Sequence, residues 1–191
     1  MKYFSSDWHL GHSRSIEFAK RPFKDVQEMD ETIIARMTSP LKKGDDFYFI
    51  GDLAWDPKSA EMFFEAFPRK ARFYWVLGNH DRKDLIERFA GRCAFVGNML
   101  EIKLSVAPNT PRQNITLCHY PMITWNKSHY NAWQLYGHHH VASWKYDELP
   151  WRTPGKQLNV NCEFFGFEPV SEEYLIEIMN SKPNNWDFIP R

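Results

Sequence analysis

Neither charge is in surplus in this sequence: its 191 residues carry 24 Lys plus Arg against 24 Asp plus Glu. With no net field to draw in nucleic acid or an anionic membrane, any anion must be held locally. Cysteine is scarce. Cys93, Cys118 and Cys162 are odd in number and far apart, which argues against a disulfide framework and fits a reducing compartment. No run approaches the ~20 apolar residues that span a bilayer, and the opening MKYFSSDWHL lacks the apolar stretch of a signal peptide. The expectation is a cytoplasmic protein without a membrane partner. The lack of a basic stripe also argues against a stable nucleic-acid complex. Internal repeats and low-complexity linkers are absent too.

What is present suffices for one core. At 43% hydrophobic residues, the chain has the size and composition of a single globular domain. We assign that domain to residues 1–181 and a mobile C-terminal tail to residues 182–191, in a monomer or small homo-oligomer. Residues 2–6 read as a strand ending at Asp7. A helix begins near Asp25, with Glu28 three residues later as a capping box. Val26, Met29, Ile33 and Met37 then share one helical face, and Pro40 follows. Asp46–Ile50 is an apolar strand ending in Gly51-Asp52. Asp56-Pro57 opens a second helix whose buried face is Ala60, Phe63, Phe64 and Phe67. Residues 72–77 form a third strand, ending in Gly78-Asn79-His80-Asp81. Strands alternating with helices imply parallel βαβ units, whose ligands collect at the carboxyl ends of the strands. Beyond this the elements shorten. Residues 93–106, 114–119, 135–144 and 157–163 read as β segments, residues 107–112 as a loop, and residues 171–179 as a last helix. A second sheet packed on the first follows, giving an α/β fold of two mixed sheets between helices.

Eight histidines and eight tryptophans stand out. The histidines gather at the polar strand ends: Asp7-Trp8-His9, Gly51-Asp52, Gly78-Asn79-His80-Asp81, Cys118-His119 and Gly137-His138-His139-His140. Asp7 and His9 are two residues apart, so in an extended segment both face one ion. His138 and His140 likewise share a side and leave His139 out. Carboxylate and imidazole donors suit manganese, iron, zinc or nickel, and the near absence of nearby thiols argues against a structural zinc knot. So many donors are too many for one catalytic ion that must also hold water. Two ions ~3.5–4 Å apart, sharing a carboxylate, fit better.

The order D-x-H, G-D, G-N-H-D, H and G-H-x-H resembles the calcineurin-like metallophosphoesterase family over roughly residues 1–165. Asp7-x-His9-x-Gly11-His12, Arg21-Pro22-Phe23, His119-Tyr120-Pro121-Met122 and Asn159-Val160 resemble its compact phage and bacterial branch. The resemblance implies that Asp7, His9 and His140 bind a first ion, that Asp52 bridges, and that Asn79, His119 and His138 bind a second. Manganese is the first choice of metal. His80 would face the scissile ester as hydrogen-bond or proton donor, a role suited to imidazoles, and Asp81 would hold its ring or raise its pKa. The implied activity is hydrolysis of phosphodiester bonds in a small or nucleotide substrate, by in-line attack of a metal-bound hydroxide. The alternatives are a phosphomonoesterase, a nuclease, a protein phosphatase, or a catalytically idle scaffold that binds a nucleotide or partner. Near Asn159 the family pattern has a glycine and then an aspartate where this chain has Asn161 and Glu163, a departure that bears on substrate contacts. His12, Arg14, Arg21 and His139 are candidate substrate contacts, with Lys20 beside them. Trp8, Trp55, Trp125 and Trp144 are placed either to stack a nucleobase or to pack the core and rim.

Overall fold

The computed structural model describes residues 1–140 and 155–190. Its first sheet sets β1 (Lys2–Ser5), β2 (Asp46–Ile50), β3 (Arg72–Val76) and β4 (Phe95–Gly97) parallel, and β9 (Val170–Ser171) pairs antiparallel with β1. The second runs in the order β5 (Met99–Leu104), β6 (Gln113–Cys118), β7 (Trp133–Tyr136), β8 (Gln157–Asn159), with only β5 antiparallel to its neighbour. The helices are α1 (Arg14–Phe18), α2 (Val26–Thr38), α3 (Pro57–Ala66), α4 (Lys83–Phe89) and α5 (Glu172–Ser181). The expected α/β fold of two mixed sheets with helices is therefore present. Among the described residues no helix is long and apolar enough to cross a membrane.

Strand alternation builds two cores from one sheet. Phe47 and Phe49 of β2, with Phe73 and Trp75 of β3, pack with Met29, Ile33 and Met37 of α2 and Phe63 of α3. The intervening Tyr48, Ile50 and Val76 face the opposite way, onto Ile115, Leu117 and Leu135 of the second sheet and Leu175 and Met179 of α5. Burial on both faces explains why β2 reads as an unbroken apolar run. The helix starts are local. Asp25 caps α2 by accepting from the Glu28 N–H at 2.8 Å, and Asp56 caps α3 by accepting from the Ser59 N–H at 3.0 Å.

Four details depart from the sequence expectations. The apolar stretch 93–106 is two strands, β4 in the first sheet and β5 in the second, because a period of two fixes which way side chains point but not which sheet a strand joins. The stretch 157–163 ends as a strand at Asn159, and the Asn161 side chain then accepts from the Glu163 N–H at 2.9 Å to start a 3₁₀ turn. Helix α4 was not foreseen: its N-cap residue, Arg82, makes no side-chain cap, so the usual start signal is missing. The tail is not loose. Asn185 is buried and bonds Ser128 O, Ala132 O and Lys156 N, while Trp186 Nε1 donates to Ile123 O. Part of the 135–144 expectation, residues 141–144, lies outside the described residues, as does Trp144.

Candidate metal centre

The polar strand ends meet at one edge of the sandwich. Asp7, His9, Asp52 and His138 all have positive φ, at 59°, 51°, 65° and 69°. The extended geometry assumed for Asp7-x-His9 and His138-x-His140 is thus corrected. A left-handed turn, uncommon for non-glycine residues, aims these side chains inward, and such conformations gather at functional sites. Backbone bonds hold the turns together: Asp7 N donates to Gly51 O at 2.9 Å, His9 N to Asp52 O at 3.0 Å, and Gly137 N to His119 O at 2.9 Å. The glycines in the motifs are steric. A Cβ on Gly78 would press into the Asp52 carboxylate, and one on Gly137 into that of Asp7.

Two sets of donor atoms result. Asp7, His9 and His140 form one compact group, and Asp7, Asp52 and His119 another. His9 Nε2 lies 3.2 Å from His140 Nε2 and 3.7 Å from Asp52 Oδ2. On the other side, His119 Nε2 lies 3.4 Å from the same Asp52 oxygen and 3.1 Å from Asn79 Oδ1, and His138 Nδ1 is 3.0 Å from that amide oxygen. Asp7 belongs to both sets, and Asp52 Oδ2 of the second also lies near His9 of the first.

Burial pushes the Asp52 carboxyl upward, but the hydrogen bond and charge of His119, with His9 and the His80 N–H, hold it at about 2. His119 moves the other way. Burial alone would lower it, yet Asp52 and Asp7 raise it to about 9. Asp7 is pushed up to about 6, chiefly by burial. Buried, converging carboxylates and imidazoles of this kind fit divalent cations, whose binding would displace the His119 proton.

Several expected roles change once the bracing groups are seen. The Asp81 carboxylate does not hold the His80 ring. It accepts from the backbone N–H groups of Asp52 (2.9 Å), Leu53 (2.9 Å) and Gly78 (2.8 Å) and from Trp75 Nε1 (3.1 Å), pinning two donor loops to each other. Arg21 is no substrate contact, because its buried guanidinium donates to Asp7 O (2.7 Å), Trp8 O (2.6 Å), Met29 Sδ and Glu163. Four hydrogen bonds and the ion pair with Glu163 thus engage the guanidinium inside the protein. Glu163 sits against the donor cluster rather than a substrate. Its Oε1 accepts from Arg21 and from His140 Nδ1 at 2.8 Å, which leaves His140 Nε2 to face the other donors.

Asp30 was not anticipated as part of this scaffold, since it lies mid-helix among polar residues. Its two oxygens accept from Gly11 N at 3.0 and 2.9 Å, closing the loop after His9. Burial pushes its carboxyl up to about 6, against the bonds from Gly11 and Ser59 that lower it. The unfolded value is about 3.9, so the folded chain favours the protonated form. Stability from this group is full below about pH 4 and is lost as pH rises through about 6. Asp30→Asn should therefore melt above the wild type at about pH 8, by a margin that closes towards about pH 4. A pH-independent difference in melting temperature would count against this assignment.

His80 is exposed at the rim, its N–H bonded to Asp52 Oδ1 at 2.8 Å and its ring centroid 5.4 Å from that of His9. Arg14 and Lys20 are exposed around α1, and His139 is half-buried beside His138. His12 stacks on Trp55. Trp8 and Trp125 are buried core residues, so of the described tryptophans considered for stacking only Trp55 is open.

A family model described as calcineurin-like phosphoesterase matches residues 3–189. The uncharacterised protein MJ1445 of Methanocaldococcus jannaschii is 28% identical over 179 residues, covering 93% of this chain and 90% of that protein. The Gene 66 protein of Mycobacterium phage L5 is 31% identical over 81 residues, 41% of this chain and 39% of its own. A crystal structure of the protein of unknown function AQ665 from Aquifex aeolicus superposes with a TM-score of 0.68 at 21% identity, covering 93% of this chain and 98% of that one. It shares the fold.

Proposed function

This chain belongs to the calcineurin-like phosphoesterase family, and on that premise we propose a dinuclear metal-dependent phosphodiesterase acting on small or nucleotide diesters. The coarser statement, a metal-dependent phosphoesterase, rests on the family and on the donor groups around Asp7 and Asp52. The single observation that carries the dinuclear reading is Asp52 Oδ2, 3.7 Å from His9 Nε2 and 3.4 Å from His119 Nε2. Asp7, His9 and His140 would hold one ion, Asn79, His119 and His138 the other, and Asp52 would serve both. Manganese is the proposed metal, on the grounds that every donor is a carboxylate, amide or imidazole and none a thiolate. When bound, such a pair supplies an activated water nucleophile and neutralises charge on the phosphoryl oxygens.

The protein's own groups do the rest. Asp81 and Arg21 fix the loops, so the donors are preorganised before substrate arrives. His80 is exposed, and its backbone tie to Asp52 points its loop at the centre while leaving the ring's nitrogens available to substrate. It would donate a proton to the departing oxygen of the ester. A positioned acid of this kind contributes about 10²–10⁴-fold. A diester is preferred because the exposed Asn79 and His80 leave the described site open to a second substituent on the phosphorus.

The test is manganese-dependent hydrolysis of bis-p-nitrophenyl phosphate beside p-nitrophenyl phosphate, with metal-stripped protein and His80→Ala as controls. Faster diester turnover that disappears on metal removal is expected, with a loss of roughly 10²-fold or more in His80→Ala at unchanged metal content. Because p-nitrophenolate leaves readily, an alkyl-leaving diester should suffer more from the substitution. Equal turnover by His80→Ala on both diesters would remove His80 from the reaction, and preference for the monoester would overturn the diesterase assignment.

A further inference from the structure

Among the described residues, the large exposed side chains Phe18, Trp55 and Tyr120 are 46%, 43% and 45% open, and each makes a ring contact with a histidine of the centre or its rim. Tyr120 stands edge-on to His119 and His138, centroids 5.1 and 4.9 Å away, on the side of the second donor set. Trp55 differs in being a flat, fixed surface. Its ring lies parallel to that of His12, with centroids 4.1 Å apart and planes inclined by 8°, and 5.9 Å from the ring of His80.

Its backbone is tied at both ends: Trp55 N donates to Leu10 O at 2.7 Å, and Arg82 Nη1 donates to Trp55 O at 3.1 Å. His12 Nδ1 is buried and meets no hydrogen-bond partner among the described residues, so stacking rather than polar contact sets this ring's position. A tryptophan that served only to fill space would be covered, as Trp8 and Trp75 are. Here one face is taken by His12, and much of the indole is left in water beside the residue that would meet the leaving group.

We infer that the Trp55–His12 stack is a subsite for a planar group, a nucleobase or aryl ring, carried on the ester's leaving side. The inference rests on the phosphodiesterase reading, and it narrows the substrate class to nucleotide or aryl diesters. The driving force is stacking on a surface already ordered, so little conformational freedom is lost on binding. Aromatic faces accept every base, so discrimination among bases is expected to be weak.

The probes are adenosine 5′-monophosphate and ribose 5-phosphate, which share a phosphate and sugar and differ in the base. Their affinities are to be measured by calorimetry on manganese-loaded wild type, Trp55→Ala and Trp55→Phe. Wild type should favour the base-bearing probe by about tenfold or more. Trp55→Ala should reduce that ratio to near one by weakening the adenosine probe, and Trp55→Phe should restore most of it. A ratio near one in wild type, or a ratio retained in metal-loaded Trp55→Ala, overturns the subsite even where bis-p-nitrophenyl phosphate is still hydrolysed. Conversely, base-dependent binding by wild-type protein that loads manganese yet turns over no diester would overturn the activity reading and leave the stack standing as a base-binding surface.

Discussion

Asp52→Asn is expected to lower metal-dependent ester hydrolysis by about 10³-fold or more while leaving the fold intact. An activated water and a neutralised phosphoryl group are together worth several kcal/mol, and each 1.36 kcal/mol is about tenfold in rate. The carboxylate is buried, and the charges around it keep it ionised, at about 2. Asparagine is nearly isosteric. It can still accept the His80 N–H through Oδ1, the contact now 2.8 Å long, so the loop has no reason to move. The position between His9 Nε2 and His119 Nε2, however, would then hold an NH₂ group with no lone pair for a cation. Metal content measured with turnover separates the outcomes. The variant should hold fewer ions per chain than the wild type; two ions bound with turnover within tenfold of wild type would rule out a bridging role for Asp52.

Arg21→Ala should be the most destabilising single truncation around the site, by about 3–5 kcal/mol, the range for breaking a buried ion pair from one side. For a chain of this size that corresponds to roughly 6–20 °C in melting temperature. The side chain is fully buried against Glu163, which is itself nearly so. Its removal takes the guanidinium donors away from the carbonyls of Asp7 and Trp8 and from the buried Glu163 carboxylate. Arg21→Lys should not restore the loss, because one ammonium cannot span a carboxylate and two carbonyls as a planar fork does. Since Glu163 orients His140, the lysine variant, if folded, should also bind manganese about 10–100-fold more weakly. A melting temperature within a few degrees of wild type for Arg21→Ala would show that these groups find other partners or water.

These two predictions sit at different distances from the sequence. Asp52 was legible because a glycine-aspartate pair ends an apolar strand, one of five such polar ends in a fixed order. The first three strands, the starts of α2 and α3 and the parallel arrangement were legible for the same kind of reason. Apolar periodicity and capping chemistry are local, and burial on both faces of β2 writes itself directly into the run from Asp46 to Ile50. Arg21, by contrast, looked like a surface cation free to grip phosphate, and Asp81 like a partner for its neighbour His80. What each side chain meets lies across the fold: Glu163 is 142 positions from Arg21, and the Asp52 N–H is 29 from Asp81.

By itself, then, the sequence determined which donors this protein carries, the strand ends that present them and the chemistry such a set can hold, because residue type and short-range spacing are properties of the chain. Only the tertiary structure decided how the donors converge. The left-handed backbone at Asp7, His9 and His138 replaced the extended one expected, and β4 and β5 went to different sheets. It also decided that Glu163, Arg21 and Asp81 serve the scaffold and that Trp55 alone of the described tryptophans near the site stays open. The physical reason is common to all of these. A buried charge or a strained turn persists only where distant parts of the chain supply its hydrogen bonds, and no local pattern records which parts those are.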